Sequence, residues 1–332
     1  WLDEMRLIKD GHELALMRRA AEISTATHQT HPRAQRAGGW WPPGSVWVVP
    51  VGWSGTRPDD GPSYFYPWAG HFVSRSGFDA LAHWSFFDMG PWGSGHQHND
   101  KLHISIAASG RDLLVDAGRF AYTGAVAEKF RSYARSTEGH NILLIDNKGQ
   151  AAGPTHASEP LDKTVFKISP DFDYASSSFD RFTDITGEVK HIRSVSYVRG
   201  EFWVVVDRII TDRPRTIDAL WHWHPENEVL QKRLSVRTNN AHGNLAVIPV
   251  SKKKFTVKLV KGQEQPGIQG WYSPEYNIYE PNTASIYQTK ISSTTNLVWL
   301  LFPSEKQTPK IKAKVLAENE EEVRIKVTSN GK

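Results

Sequence analysis

The chain of 332 residues contains no cysteine, which excludes disulfides, thiolate ligands and cysteine nucleophiles, and leaves the redox compartment open. It has no apolar run long enough to cross a membrane as a helix, and no signal peptide is visible behind its first residue, Trp1. Short internal repeats and low-complexity tracts are missing as well, which argues against a solenoid or a disordered tail. A large excess of one charge is missing: the formal net charge of +4 is mildly basic, which reads first as an ordinary surface and second as attraction for an acidic ligand. Basic clusters such as Lys252-Lys253-Lys254 stand outside any nucleic-acid motif, so no nucleic-acid partner is expected.

What is abundant is aromatic and β-branched. Thirteen tryptophans and many short Val, Ile, Phe and Tyr runs favour a β-rich protein. One helix is expected from Asp10 to about His28, where Asp10 and Glu13 fit a capping box and Leu14, Met17 and Ala21 follow helical spacing. Residues 32–61 are rich in Pro, Gly and Trp and read as a linker, with one short strand at Val46 to Val51.

Beyond it, strands are expected at Phe72 to Arg75, His83 to Phe87, Leu102 to Ile106, Leu113 to Asp116, Ile142 to Asp146, Val189 to Val198, Phe202 to Ile210, Ala219 to His224, Phe255 to Val260, Asn296 to Phe302 and Val323 to Val327. Ala125 to Ser132 breaks this rhythm as a short helix or loop. The expected fold is mainly β: a large antiparallel β-sandwich over residues 62–332, preceded by the helix and linker of residues 1–61.

The chemistry concentrates in Gly95-His96-Gln97-His98-Asn99-Asp100. Residues i and i+2 of a strand share a face, so His96 and His98 are expected to leave one face together, beside a returning strand that ends in Asp116. His140 is a third imidazole. Two histidines and an aspartate with an open fourth position suit zinc. Asn99, Asp100 and Asn141 are candidates for holding such ligands in place. Arg75 and Arg135 offer planar forks for substrate carboxylates. His222 and His224, in Trp221-His222-Trp223-His224, read as part of a half-exposed strand.

Taken in order, Phe72-Val73-Ser74-Arg75-Ser76-Gly77, Gly95-His96-Gln97-His98-Asn99-Asp100, Leu114-Val115-Asp116-Ala117-Gly118 with Tyr122, Arg131-Ser132-Tyr133-Ala134-Arg135-Ser136-Thr137 and His140-Asn141 resemble the heparinase II/III-like polysaccharide lyases. The resemblance runs from about Tyr64 to Glu226. It implies a β-sandwich that follows an α/α-toroid, cleavage of a uronate-containing polymer such as heparan sulfate or alginate, and export to the periplasm or the medium. It further implies His96 as a cleft residue, Tyr133 as a tyrosine near the reaction centre, and His98, Asp116 and His140 as ligands of a structural zinc ion. About sixty residues precede the matched region, too few for the toroid, so the sandwich is expected without it and with little activity of its own. The stretch from Met5 to Ile23 resembles the linking helix of Xaa-Pro aminopeptidases, without the dimetal ligands that make those enzymes peptidases. Two other functions compete with the lyase: a non-catalytic carbohydrate-binding or scaffolding module, and a zinc hydrolase with Asp100 as the base.

Overall fold

A computed structural model of the chain describes residues 62–90, 97–153, 159–319 and 322–329. The helix expected at Asp10 to His28, the strand at Val46 to Val51, and His96 lie outside the described residues.

The regular secondary structure of the described chain is almost entirely antiparallel strand. It begins with β1 (Tyr64–Tyr66), β2 (His71–Arg75), β3 (Trp84–Asp88), β4 (Ile104–Ala108) and β5 (Arg111–Leu114), which form a five-stranded sheet in sequence order. Helix α1 (Gly124–Arg135) and a short 3-10 turn (Thr137–Gly139) lead to β6 (Leu143–Ile145). There follow β7 (Phe166–Ile168), β8 (Phe172–Phe179), β9 (Val189–Val198), β10 (Phe202–Thr211), β11 (Arg215–His222), β12 (Val229–Lys232), β13 (Ser235–Thr238) and β14 (Asn244–Pro249). The chain continues through β15 (Thr256–Lys261), β16 (Trp271–Tyr272), β17 (Glu280–Pro281), β18 (Thr283–Ile291), β19 (Thr295–Ser304), β20 (Ile311–Glu318) and β21 (Val323–Ser329). An eight-stranded sheet runs β12-β13-β14-β19-β10-β9-β8-β7, and a four-stranded sheet runs β15-β18-β11-β6.

One hydrophobic core joins the three large sheets: Phe72, Phe87 and Ile106 from the first, Val195, Trp203 and Trp299 from the second, Ile217, Trp221 and Tyr287 from the third. This is the expected sandwich. Strand β19 shows why its sequence is apolar on both faces. Leu297, Trp299 and Leu301 enter this core, while Val298 and Leu300 point the other way, as strand alternation requires. There they meet Ile311, Val315, Val323 and Ile325 of the β20–β21 hairpin.

Two sequence expectations are corrected, and the helix-or-loop alternative at Ala125 to Ser132 is resolved as helix. The strand expected from Leu102 starts only at Ile104, because Leu102 has a positive φ of 79° and the His103 amide turns back to the Asp100 carbonyl. His98 therefore sits in an irregular segment, where strand alternation does not apply. The Ala125 to Ser132 segment is part of a full helix, with Ala127, Phe130, Tyr133 and Ala134 as its buried side. Finally, Trp221-His222-Trp223-His224 is buried throughout rather than half-exposed, since both faces of β11 and its extension are covered.

Two pairings position the site. Strand β11 pairs with β6, Ile217 opposite Ile145 and Ala219 opposite Leu143. Past the end of β5, the Val115 amide donates to the His222 carbonyl at 3.0 Å. The chain after Leu114 and the chain before Leu143 thus converge on the end of β11.

His83 and His224 are withdrawn from water, which pushes both imidazoles down to about 4. In the unfolded chain each would titrate near its ordinary 6.5. Between these values the unfolded state binds more protons, so stability falls as pH drops from about 6.5 to about 4. The urea midpoint is expected to decline between pH 7 and pH 4.5, and to decline less in His83→Gln/His224→Gln. An equally steep decline in the double variant would remove these two histidines as the cause.

Candidate metal centre and groove

Three segments without regular structure carry the site. The first, residues 97–103, is tied to the end of α1: the Asn99 amide donates to the Arg135 carbonyl at 2.8 Å, and the Thr137 hydroxyl donates to the Asn99 carbonyl at 2.9 Å. The second, after β5, turns at Asp116, whose Oδ1 accepts the Gly118 amide at 2.7 Å. Gly118 has φ +84°, and a Cβ there would stand 2.6 Å from the Ser273 carbonyl oxygen, so only glycine fits. The third is His140-Asn141, after the Thr137–Gly139 turn.

Asn141 stitches them together. Its carboxamide nitrogen donates to the carbonyls of Ile104 (2.8 Å) and Val115 (3.1 Å), and its oxygen accepts the His222 amide at 2.6 Å. Its own amide donates to His103 Nδ1 at 3.0 Å, which fixes that ring's other nitrogen as the donor to Ser105. Behind this knot the buried Arg193 guanidinium donates to the Leu102 carbonyl at 2.8 Å and to the Asn141 carbonyl, while it pairs with Asp207.

The structure brings His98, Asp116 and His140 together and adds Asp100. One ligand atom from each of the four lies within 4.8 Å of the other three. His140 Nδ1 is 2.7 Å from Asp116 Oδ2, and His98 Nδ1 is 3.9 Å from Asp100 Oδ2. Burial opposes charge on His140, but the carboxylates of Asp116, Asp100 and Asp88 together outweigh it and raise the imidazole to about 9. Burial likewise opposes charge on Asp116, which its histidine neighbours nevertheless hold below the usual carboxylate range. Burial pushes His98 down to about 4, with His140 adding to the effect, so its ring is neutral at pH 7 with a lone pair to offer. Burial lifts Asp100 to about 7.

Two imidazoles and two carboxylates at this separation suit zinc. His140 also keeps a buried Nε2 with no hydrogen-bond partner, and its Nδ1 proton is shared with a carboxylate, an arrangement that a divalent cation would relieve. The residues present therefore fit the ion that the sequence suggests.

Beside the cluster runs a groove of about 550 Å³. Gln97 and Asn99, which flank His98, form one wall together with Ala152. Ala127, Glu128, Arg131, Ser132, Arg135 and Ser136 of α1 and its end form the other, a stripe along one side of the helix. Both guanidiniums are close enough to His98 to help keep it neutral.

The remaining sequence candidates divide between the groove and the interior. Arg135 lines the groove and donates to the Gln97 carbonyl at 3.2 Å. Arg75 does not line it; its guanidinium donates to the Pro62 carbonyl and lies 5.7 Å from the Phe78 ring centroid. Tyr133 is buried on the other side of α1, where its hydroxyl donates to Gln269 Oε1 at 3.0 Å. Burial moves that phenol above its ordinary value, the opposite of what proton transfer near neutral pH would need. Sequence reasoning missed Arg131 and Gln269. Arg131 was signalled by its spacing of four from Arg135, on the side opposite Phe130 and Tyr133. Gln269 carried no local signal.

Replacing Asn141 with alanine would strand the His222 amide and two carbonyls in a dry environment, each costing about 1–3 kcal/mol. Asn141→Ala is expected to lose at least ~3 kcal/mol in a denaturant titration. A loss below ~1 kcal/mol would mean that the knot is held elsewhere.

A family model described as "Heparinase II/III-like, C-terminal" matches residues 63–314. A heparin-sulfate lyase of Pedobacter heparinus is 26% identical over 273 residues, covering 80% of this chain and 39% of that protein. One of Bacteroides stercoris is 25% identical over 278 residues, covering 80% and 38%. The chain thus spans well under half the length of these curated relatives. Among solved structures, the heparan sulfate lyase HepC of Pedobacter heparinus superposes with a TM-score of 0.73 at 21% identity, covering 94% of this chain and 46% of that one. The heparinase III BT4657 gene product gives 0.70 at 21% identity, covering 83% and 42%. These structural likenesses concern the fold. Together with the matched family model, which covers most of the sequence, they show that the chain belongs to the heparinase II/III-like family and carries its C-terminal β-sandwich.

Proposed function

We propose that the chain is the sandwich portion of a polysaccharide lyase that cleaves an acidic, uronate-containing glycan by β-elimination, braced by a structural zinc ion on His98, Asp116 and His140. The observation that carries this reading is the groove lined by Arg131 and Arg135 immediately beside the histidine and aspartate cluster. The relatives named as heparin-sulfate lyases favour a glycosaminoglycan as the polymer. Such a polymer lies outside the cytoplasm, which is why export to the periplasm or beyond belongs to the proposal.

β-Elimination next to a uronate needs three things: neutralisation of the carboxylate, a base for the C5 proton, and an acid for the departing oxygen. Guanidiniums on the groove wall suit the first. His96, two residues before His98, is the candidate for proton transfer or neutralisation from this domain. Tyr133 acts from behind the site: its hydroxyl meets the same Gln269 oxygen that faces His222 at 2.9 Å, which keeps β11 and α1 in register. The zinc ion, when bound, cross-links three chain segments and holds a fixed frame around His98.

Digestion of heparan sulfate, alginate and a neutral control, followed by the ultraviolet absorbance of unsaturated uronate ends, tests the reaction. Product is expected from an acidic polymer alone, and His96→Ala is expected to lower its rate by roughly 10²–10⁴-fold. Retention of an acidic glycan without any cleavage would instead make the chain a binding module.

Metal content tests the brace. About one zinc per chain is expected, lost in His98→Ala together with thermal stability. A well-folded wild-type protein that binds no zinc would sink the metal assignment.

A further inference from the structure

The charged side chains outside the cluster divide into two groups. Several buried or half-buried arginines meet a carboxylate: Arg193 meets Asp207, Arg199 meets Asp173, and Arg215 meets Asp146 and Asp212. Arg119, Arg131 and Arg135 behave differently. Among the described residues none of them reaches a carboxylate within ion-pair distance, although Glu128 lies on the same groove wall. A run of cations without internal anions is a site for an external one.

Aromatic rings hold two of the three in place. The Arg119 guanidinium lies 5.2 Å from the Tyr122 ring centroid and 5.0 Å from that of Tyr276, and the Arg131 guanidinium lies 5.1 Å from Tyr122. Tyr122 and Tyr276 are themselves in ring contact at 5.9 Å, and the Tyr276 hydroxyl accepts the Tyr122 amide. Arg131 also reaches the Ala121 carbonyl with one nitrogen at 3.4 Å. Stacking fixes the plane of a guanidinium while leaving its other N–H groups directed outward, so an oxyanion meets a prepared fork. One helical turn on, Arg135 presents a second guanidinium about 6 Å further along the axis.

We infer that Arg131, set by Tyr122 and acting with Arg135 one turn away, forms a two-pronged anion subsite that grips successive carboxylate or sulfate groups of an acidic glycan lying in the groove. This rests on the acidic-glycan reading above and adds to it the residue that grips the chain and the geometry with which it does so. A single mobile anion would occupy one prong, whereas a polymer occupies both, and the subsite selects for a chain with closely spaced acidic groups.

The test is the affinity of the whole chain for a size-defined heparin hexasaccharide and for its desulfated counterpart, which keeps the uronate carboxylates. Titrations at several salt concentrations would compare wild type with Arg131→Gln, Arg131→Lys and Lys129→Gln. Lys129 sits on the same helix but pairs with Glu264 away from the groove, so its variant removes the same charge without touching the subsite. Arg131→Gln is expected to weaken binding at least ten-fold and to lower the salt dependence by about one released counterion. Arg131→Lys should recover only part of the loss, and Lys129→Gln should stay within two-fold of wild type. Preferential loss of the sulfated ligand would assign sulfate to the Arg131 prong, and equal loss of both would assign the carboxylate.

If wild type binds and Arg131→Gln weakens it no more than Lys129→Gln, the inference fails and the acidic-glycan reading stands. Full rescue by Arg131→Lys would overturn the stacked fork. If wild type retains neither hexasaccharide, nor any other acidic glycan, both readings fall together.

Discussion

The site depends on one buried guanidinium. Arg193 has no exposure to solvent, and neither does its partner Asp207. Taking two charges out of water is costly, and it is tolerated only where the pair and its remaining donors are satisfied. Here four of the five Arg193 N–H donors are placed: two pair with the two carboxylate oxygens of Asp207, which also accepts from Trp299 and faces His191, and the two on Nη1 go to the carbonyls of Leu102 and Asn141. Those two carbonyls belong to the segments that carry His98 and His140. The eight-stranded sheet thereby dictates where two irregular segments stand, and a replacement by apolar residues could fill the space without giving that instruction.

Around this anchor the polar interior is layered. Asn141 joins the ends of β4, β5 and β11, and Gln269 joins His222, Tyr133 and the Glu138 carbonyl. Each layer uses a side-chain amide because an amide both donates and accepts, and so can satisfy backbone groups of both kinds where ladders end. The cluster of His98, Asp100, Asp116 and His140 lies on the wet side of this scaffold, with half-buried carboxylates and one fully buried histidine. Helix α1 then separates two environments: its apolar side seals Phe120, Phe130 and Tyr133 from water, and its polar side supplies the cationic wall of the groove.

Much of this architecture is legible in residue order alone. Val189 to Val198 reads as a strand because alternation is uninterrupted, and β9 has those bounds. The turn at Ser109-Gly110 is visible because Ser-Gly marks turns, and both residues have positive φ there, at 54° and 75°. Other elements give no such signal. Strand β8, with Ser176-Ser177-Ser178 in its centre, has the composition of a loop and forms because β9 supplies its ladder on one side. Strands β18 and β20 are hidden for the same reason: their local composition is ordinary, and a partner strand decides their state.

The sequence by itself determined the class of the fold, through the period-two alternation of its apolar residues, and the chemical vocabulary of the site, through the motif around His98 with Asp116 and His140. Both are local properties of the chain, written in residue type and spacing. Only the tertiary structure decided which of those groups share a volume and in what state. It added Asp100 to the cluster, moved Arg75 out of the groove and Arg131 into it, and turned Tyr133 toward the interior. It also pushed the His98 imidazole down and the His140 imidazole up from their ordinary value. Burial and the proximity of charges from distant segments set these outcomes, and neither quantity exists until the sheets have packed.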